Sequence, residues 1–177
     1  MPQKAKHPKN KSTNFLPNPN LLGGLKIKVG SLSENVVDTN IIFSGLLSPN
    51  GTISDLLLNS SDTFDFYSPT FVLDELENHK KKLLKLTGYS EKELEFLQRI
   101  LFKKIDLIDL ESIQQITWNK AIELTKNVDE FDAPFIALAL ELDSPLWTGD
   151  KKLIKGLSKK DVDWILTTEI ITEIRNE

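Results

Sequence analysis

Val36-Val37-Asp38-Thr39-Asn40-Ile41-Ile42-Phe43-Ser44-Gly45-Leu46-Leu47 opens as a short apolar strand that stops on an acid, and a few residues later it has become a helix. The helix covers Ile41 to Leu47 and breaks at Ser48-Pro49-Asn50-Gly51, a cluster of turn formers. A strand that passes so directly into helix is the first half of a crossover, and strands joined by crossovers lie parallel. The question put to the rest of the chain is whether that alternation continues.

It does. A second helical run covers Ile53 to Asn59, and Phe64 to Tyr67 reads as the next strand. Ser68-Pro69 then looks like an N-cap with proline at the first helical position, opening a helix that runs to about Leu86 and is closed by Gly88. Ser90 and Glu93 form an S-x-x-E capping box for a helix with Leu94, Leu97, Ile100 and Leu101 on one face. Ile105 to Leu110 alternates as a strand, and Glu111 to Lys126 is helical. Ala133 to Leu142 is apolar almost all round, the mark of a buried helix. Leu146 to Thr148 and Asp163 to Leu166 are two further strands, with a short helix over Lys152 to Leu157 between them. There is no internal repeat. The pattern predicts a single α/β domain with a mostly parallel central sheet and helices on both faces, a three-layer α/β/α sandwich.

Composition narrows the chemistry. The 177 residues include no cysteine, so disulfides and thiolate metal sites are excluded and a reducing compartment is expected. Two histidines, His7 and His79, are too few for an imidazole-built zinc centre, so any metal must sit on oxygen. No run of about 18 apolar residues is present, and the N-terminus lacks the apolar core of a signal peptide, which predicts a cytoplasmic protein with no membrane partner. Residues 1 to 33 carry six lysines and no acid. Those six leave sixteen of the 22 Lys and Arg against all 26 Asp and Glu, a formal charge of −10 on the remainder. Residues 1 to 25 therefore read as a flexible basic extension and 26 to 177 as the folded domain. So acidic a body does not grip nucleic acid by a basic face, but it suits a site that places cations between itself and phosphate.

In open parallel sheets ligands gather at the carboxyl ends of the strands. Asp38 ends the first strand, and Asp150 follows the Leu146 to Thr148 strand. Asp132 opens the buried helix, and Glu75 lies about two turns into the helix after the second strand. Taken singly, each has an ordinary reading: Asp38 and Asp132 as helix caps, Glu75 as a surface acid beside Asp74 and Glu77, Asp150 as a turn residue. Taken together, four carboxylates from four elements converge on one edge. Such a concentration of negative charge calls for a cation, and hard Mg²⁺ prefers oxygen ligands.

The blocks V-V-D-T-N at 36–40, D-A-P-F-I-A-L-A-L-E-L at 132–142 and L-W-T-G-D-K-K-L at 146–153, with the acid-rich helix of residues 73–77 between the first two, resemble the PIN-domain nucleases over about residues 34 to 170. The resemblance implies a PIN-like fold in which Asp38, Glu75, Asp132 and Asp150 are catalytic and bind Mg²⁺ or Mn²⁺. Glu77 competes with Glu75, and Asp129 is an additional acid. Asn40, Ser44 and Thr148 would orient these ligands from behind, and Lys151 and Lys152 are candidates for substrate phosphate. The implied activity is endonucleolytic hydrolysis of RNA by in-line attack of water, leaving 5′-phosphate and 3′-hydroxyl ends. Implied partners are RNA, an antitoxin protein if the chain is the toxin of a toxin–antitoxin pair, as VapC-like relatives are, and a second copy in a homodimer.

Two departures from the family pattern stand out: Glu34-Asn35 precede only two valines where a longer apolar run is usual, and Phe131 interrupts a polar loop. The alternatives are another RNA-processing nuclease, a PIN-fold interaction protein without catalysis, or a strand-end-aspartate enzyme of another class. A haloacid-dehalogenase-like phosphatase wants D-x-D after its first strand, and Asp38-Thr39-Asn40 is not that. Trp118, Trp147 and Trp164 are expected in the core rather than as RNA-stacking platforms, Trp147 and Trp164 because they fall within expected strands. His79 is expected to be a surface or packing residue.

Overall fold

The computed structural model of the chain describes residues 33–177. The extension expected at residues 1–25 lies outside the described residues. Among these residues five strands, β1 (Glu34–Val37), β2 (Asp65–Pro69), β3 (Ile105–Ile108), β4 (Leu146–Trp147) and β5 (Ile165–Leu166), form one sheet in the order β3-β2-β1-β4-β5. Every pairing is parallel: Val36 faces Tyr67 on one side and Leu146 on the other. Among the described residues eight α-helices connect and flank them: α1 (Thr39–Leu47), α2 (Thr52–Asn59), α3 (Phe71–Thr87), α4 (Glu91–Phe102), α5 (Gln115–Thr125), α6 (Ala133–Glu141), α7 (Lys151–Ser158) and α8 (Thr168–Asn176). This is the expected three-layer α/β/α arrangement.

The strand order fixes where a ligand would sit. From β1 the chain moves outward through β2 and β3, then returns to place β4 and β5 on the other side of β1. The connections therefore diverge between β1 and β4, and a crevice opens at the carboxyl ends of those two strands. Both strands are fully buried at Val36, Val37, Leu146 and Trp147, as central parallel strands covered on both faces must be. α6 packs across β1, β2 and β4, and α5 lies on α6. α1 packs with α2, α3 and α4. Trp147 stacks obliquely on Phe66 at 5.7 Å between ring centres, and burying one such side chain contributes roughly 1.5–3 kcal/mol. Among the described residues no single helix is long and apolar enough to cross a membrane.

Local signals that need no tertiary partner agree with the structure. Ser90 and Glu93 form the reciprocal capping box of α4, and Gly88, with φ of 73°, closes α3 in the left-handed conformation that glycine favours. Differences arise where packing decides. Ser68 and Pro69 belong to β2, not to the following helix: the Ser68 hydroxyl donates to Val37 O across the sheet, and Pro69 pairs with Ile108. Proline is tolerated there because it is the last residue of the strand. The helix consequently begins at Phe71, and Glu75 stands little more than one turn into it. The run read as one helix over Glu111 to Lys126 is split by the extended Ile113 into a short turn at Leu110–Ser112 and α5. β1 is longer than its two valines suggest, carrying the buried Asn35 within it. Trp164 lies just before β5 rather than inside it, half-buried.

A candidate metal centre at the carboxyl ends of the central strands

Asp38 leaves β1 into the N-terminus of α1 and is 3% exposed. A carboxylate so deep needs donors, and its Oδ2 accepts from Thr148 Oγ1 and from Asn40 Nδ2, both at 2.5 Å. These two donors are themselves fixed. Asn40 Nδ2 also donates to Thr148 Oγ1 at 3.0 Å, while its Oδ1 accepts from Gly149 N at 2.9 Å, which sets which way the amide faces. Thr148 Oγ1 accepts from Asp150 N at 3.0 Å. The first and fourth sequence blocks are thereby tied into one network across the β1–β4 crevice. Ser44 stands behind it, donating to Asn40 O at 2.7 Å.

Glu75 reaches this edge from α3, half-buried, with Thr39 Oγ1 donating to its Oε2. Glu77 on the same helix is exposed and faces Lys80, so the structure brings Glu75, and not Glu77, to the acidic edge. Asp150 caps α7, its Oδ1 accepting from Lys152 N at 2.7 Å and Leu153 N at 3.0 Å. Asp129 orders the turn before α6 by accepting from Phe131 N at 3.2 Å, and it pairs with Lys152 Nζ at 3.3 Å. Lys152 is therefore engaged by a carboxylate, and Lys151 is exposed beside it. Phe131 is 79% exposed on that turn.

Asp132 differs from the others. It sits at the N-cap position of α6 but has helical backbone angles, and its side chain makes no cap hydrogen bond. Its Oδ2 is buried and has no hydrogen-bond partner among the described residues. Burial, reinforced by the charges of Asp38, Asp129, Asp150 and Glu75, pushes its pKa from 3.8 to about 8. Burial likewise lifts Asp38 to about 6, the Thr148 hydroxyl and nearby amides pulling down and the Glu75 charge pushing up. Glu75 is also raised, by burial first and by Asp129 last, with Thr39 and His79 opposing. The five acids therefore feel one another, and Asp132 is at the centre of the repulsion.

Among the described residues no three His, Asp or Glu side chains close up into a finished ligand cluster. Most of the carboxylates are instead held by hydrogen bonds, and Asp132 Oδ2 is left over. An all-oxygen donor set, crowded with like charge and containing an orphaned buried oxygen, suits a hard divalent cation, with Asp38, Asp132 and Asp150 as the side chains that would hold it and Glu75 beside them, free to bind a second ion or a water. Beside it an open depression of 220 Å³ is lined by Asn40, Ile41, Ser44, Ile53, Gly149, Asp150 and Thr168.

Sequence reading did not single out Thr39, which fixes Glu75, or Thr168, which lines the depression. Thr39 adjoins Asp38 and could have been flagged as a polar neighbour, but nothing local to Thr168 distinguishes it. Trp147 is fully buried as expected, while His79 meets the Phe43 ring edge at 6.0 Å and is exposed.

A family model described as PIN domain matches residues 36–171. Among solved structures, PAE2754 from Pyrobaculum aerophilum is similar with a TM-score of 0.58 at 11% identity, over 86% of this chain and 94% of that one. No curated protein matches the sequence.

Proposed function

Because this chain belongs to the PIN-domain family, whose fold is of the nuclease type, we propose that it is a Mg²⁺- or Mn²⁺-dependent endoribonuclease that hydrolyses RNA phosphodiester bonds. The observation that carries the reading is Asp132: a helix-start aspartate that caps nothing, keeps a buried oxygen without a partner and is driven to a pKa of about 8 by burial and four neighbouring acids. A cap or a structural acid has no reason to be placed so.

Bound among Asp38, Asp132 and Asp150, a divalent ion would supply a Lewis acid for the phosphoryl oxygens and make water more acidic. The side chains supply the rest. Asn40 and Thr148 hold one oxygen of Asp38 and leave its carboxylate fixed in orientation. Asp150 spends Oδ1 on the α7 amides, which anchors the side chain at the rim. Glu75, with its pKa raised and one oxygen held by Thr39, is a better base than an ordinary carboxylate and takes the proton of the attacking water. Attack in line with the P–O3′ bond expels the 3′ oxygen, which takes a proton from solvent water to become a 3′-hydroxyl, and the phosphate stays on the 5′ end.

Incubation of the full chain with single-stranded RNA of mixed sequence tests this. Cleavage is expected with millimolar Mg²⁺ or Mn²⁺, is abolished by excess EDTA, and falls by at least about 100-fold in Glu75→Gln, the usual weight of one acid–base group. Undiminished cutting in EDTA would sink the mechanism. What supports a toxin–antitoxin role is the family resemblance, and co-expression with the product of an adjacent gene, expected to relieve growth arrest and to co-purify, tests it.

A further inference from the structure

We propose that the depression beside the acidic site is the seat of a ribose flanking the scissile phosphate, and that the hydroxyls of Ser44 and Thr168 read its 2′-hydroxyl. The inference rests on the nuclease reading and adds how the site tells RNA from DNA.

Place, size and charge each restrict the occupant. The depression shares Asn40 and Asp150 with the acidic site, so a strand held there must pass over it. At 220 Å³ it has the bulk volume of about seven waters, enough to seat a sugar ring, and it is open enough for the rest of a nucleotide to extend outward. Among the described residues no Lys, Arg or His lines it and Asp150 does, so these side chains disfavour a phosphate there relative to a neutral group. Ile41 and Ile53 offer apolar surface to the carbon face of a sugar.

The two hydroxyls are complementary in their remaining capacity. Ser44 gives its proton to Asn40 O at 2.7 Å and keeps lone pairs to accept with. Thr168 Oγ1 accepts from Trp147 Nε1 at 3.2 Å and keeps its proton to give. A ligand that both donates and accepts satisfies the pair, and a 2′-hydroxyl does both. A deoxyribose leaves both polar groups unanswered, the situation in which a site rejects an analogue most strongly.

The test uses one RNA oligonucleotide that the full chain cuts, and copies bearing a single 2′-deoxynucleotide on the 5′ or the 3′ side of the cut. Wild type is expected to prefer the all-ribo substrate over one of the two copies by roughly tenfold in kcat/KM, about the value of two modest hydrogen bonds. Thr168→Val and Ser44→Ala bring that ratio toward one, whereas Thr168→Ser, which keeps the hydroxyl, retains it. The ratio is the readout, so a general loss of activity does not mimic the effect.

Independently of cleavage and of metal, the Trp147 indole resonance reports on Thr168 and is identified by its displacement in Thr168→Val. Millimolar uridine is expected to move it further than 2′-deoxyuridine does. Equal cutting of all three oligonucleotides, equal ratios in Thr168→Val and Thr168→Ser, or an indole resonance indifferent to the 2′-hydroxyl overturns the assignment while leaving the nuclease reading intact. A wild type that cuts no RNA removes both.

Discussion

Asp132→Asn separates the two roles that an aspartate at the start of α6 can play. Asparagine caps a helix about as well as aspartate, so a capping role predicts almost no change. The absent cap bond and the unpartnered Oδ2 predict something else. Removing the charge relieves burial and repulsion, and the metal-free variant should be more stable at pH 8 by about 1 kcal/mol, the half-buried carboxyl being partly screened by solvent. Magnesium stabilises only the protein that binds it, so the rise in Tm on adding millimolar Mg²⁺ should shrink or vanish in the variant, and cleavage should be lost. Equal Mg²⁺ shifts and equal cleavage would return Asp132 to the role of a cap. The pH dependence has a definite sign. Asp132 rises from 3.8 to about 8 and Asp38 to about 6, so the folded chain binds these protons more tightly than the unfolded one. That advantage is complete below pH 4 and is lost as pH climbs, through about 6 for Asp38 and about 8 for Asp132. In EDTA, the contribution of these two groups should lower the Tm of wild type between pH 5 and 8, more steeply than in Asp132→Asn. With Mg²⁺ the trend should flatten, because binding must displace the same protons. Parallel Tm profiles for the two proteins in EDTA would contradict the assignment.

At the scale of elements, α7 carries Asp150 at its start and is held in place by close approach at Gly156. A Cβ added there would lie 2.3 Å from Val128 Cγ1 and 2.8 Å from Cγ2. In an open helix, Gly→Ala stabilises by up to about 1 kcal/mol. Here overpacking, about 1–3 kcal/mol, wins, because a β-branched valine cannot turn aside. Gly156→Ala should therefore destabilise in urea melts, and the double variant with Val128→Ala should recover part of the loss. Additive effects would mean that the two do not touch. The same contrast between local and distant causes explains what was legible in the sequence. The α4 capping box and the all-round apolar α6 are written in consecutive residues and were readable. Asp38 and Asp150 were readable because a strand end marks itself. The end of β2 was not, since Ser68 is claimed for the sheet by Val37, thirty-one positions away. Nor was α8, whose place is fixed from afar: its Ile171 and Ile174 are buried, and Arg175 pairs with Asp55 of α2 at 2.5 Å, a contact 120 positions long. Glu75 could be proposed but not chosen over Glu77 from spacing, because the choice is made by Thr39 on another helix.

Charge acts at the scale of the whole molecule. From residue 34 onward the chain is formally −10, and residues 1–33 hold six lysines and no acid. A polyanionic substrate approaching the acidic body meets a field that a divalent ion relieves only locally, within about one Debye length, 8 Å at physiological salt. If the proposed RNA substrate is right, the six N-terminal lysines, which have no acid among residues 1–33, would release counterions from RNA phosphates. Deleting residues 1–24 removes Lys4, Lys6, Lys9 and Lys11. Binding of single-stranded RNA should weaken, and the slope of log K against log salt should flatten by about 0.7 for each lysine that had contacted a phosphate. The carboxylates are untouched by the deletion, so turnover at saturating RNA should stay unchanged while KM rises. The pair of readouts distinguishes the possible outcomes. A lower kcat with an unchanged salt slope would show the segment acting on the fold or the site rather than on RNA. Unchanged KM, kcat and slope would show that the body binds RNA by itself, and would shift attention to Lys151, the exposed lysine beside Asp150.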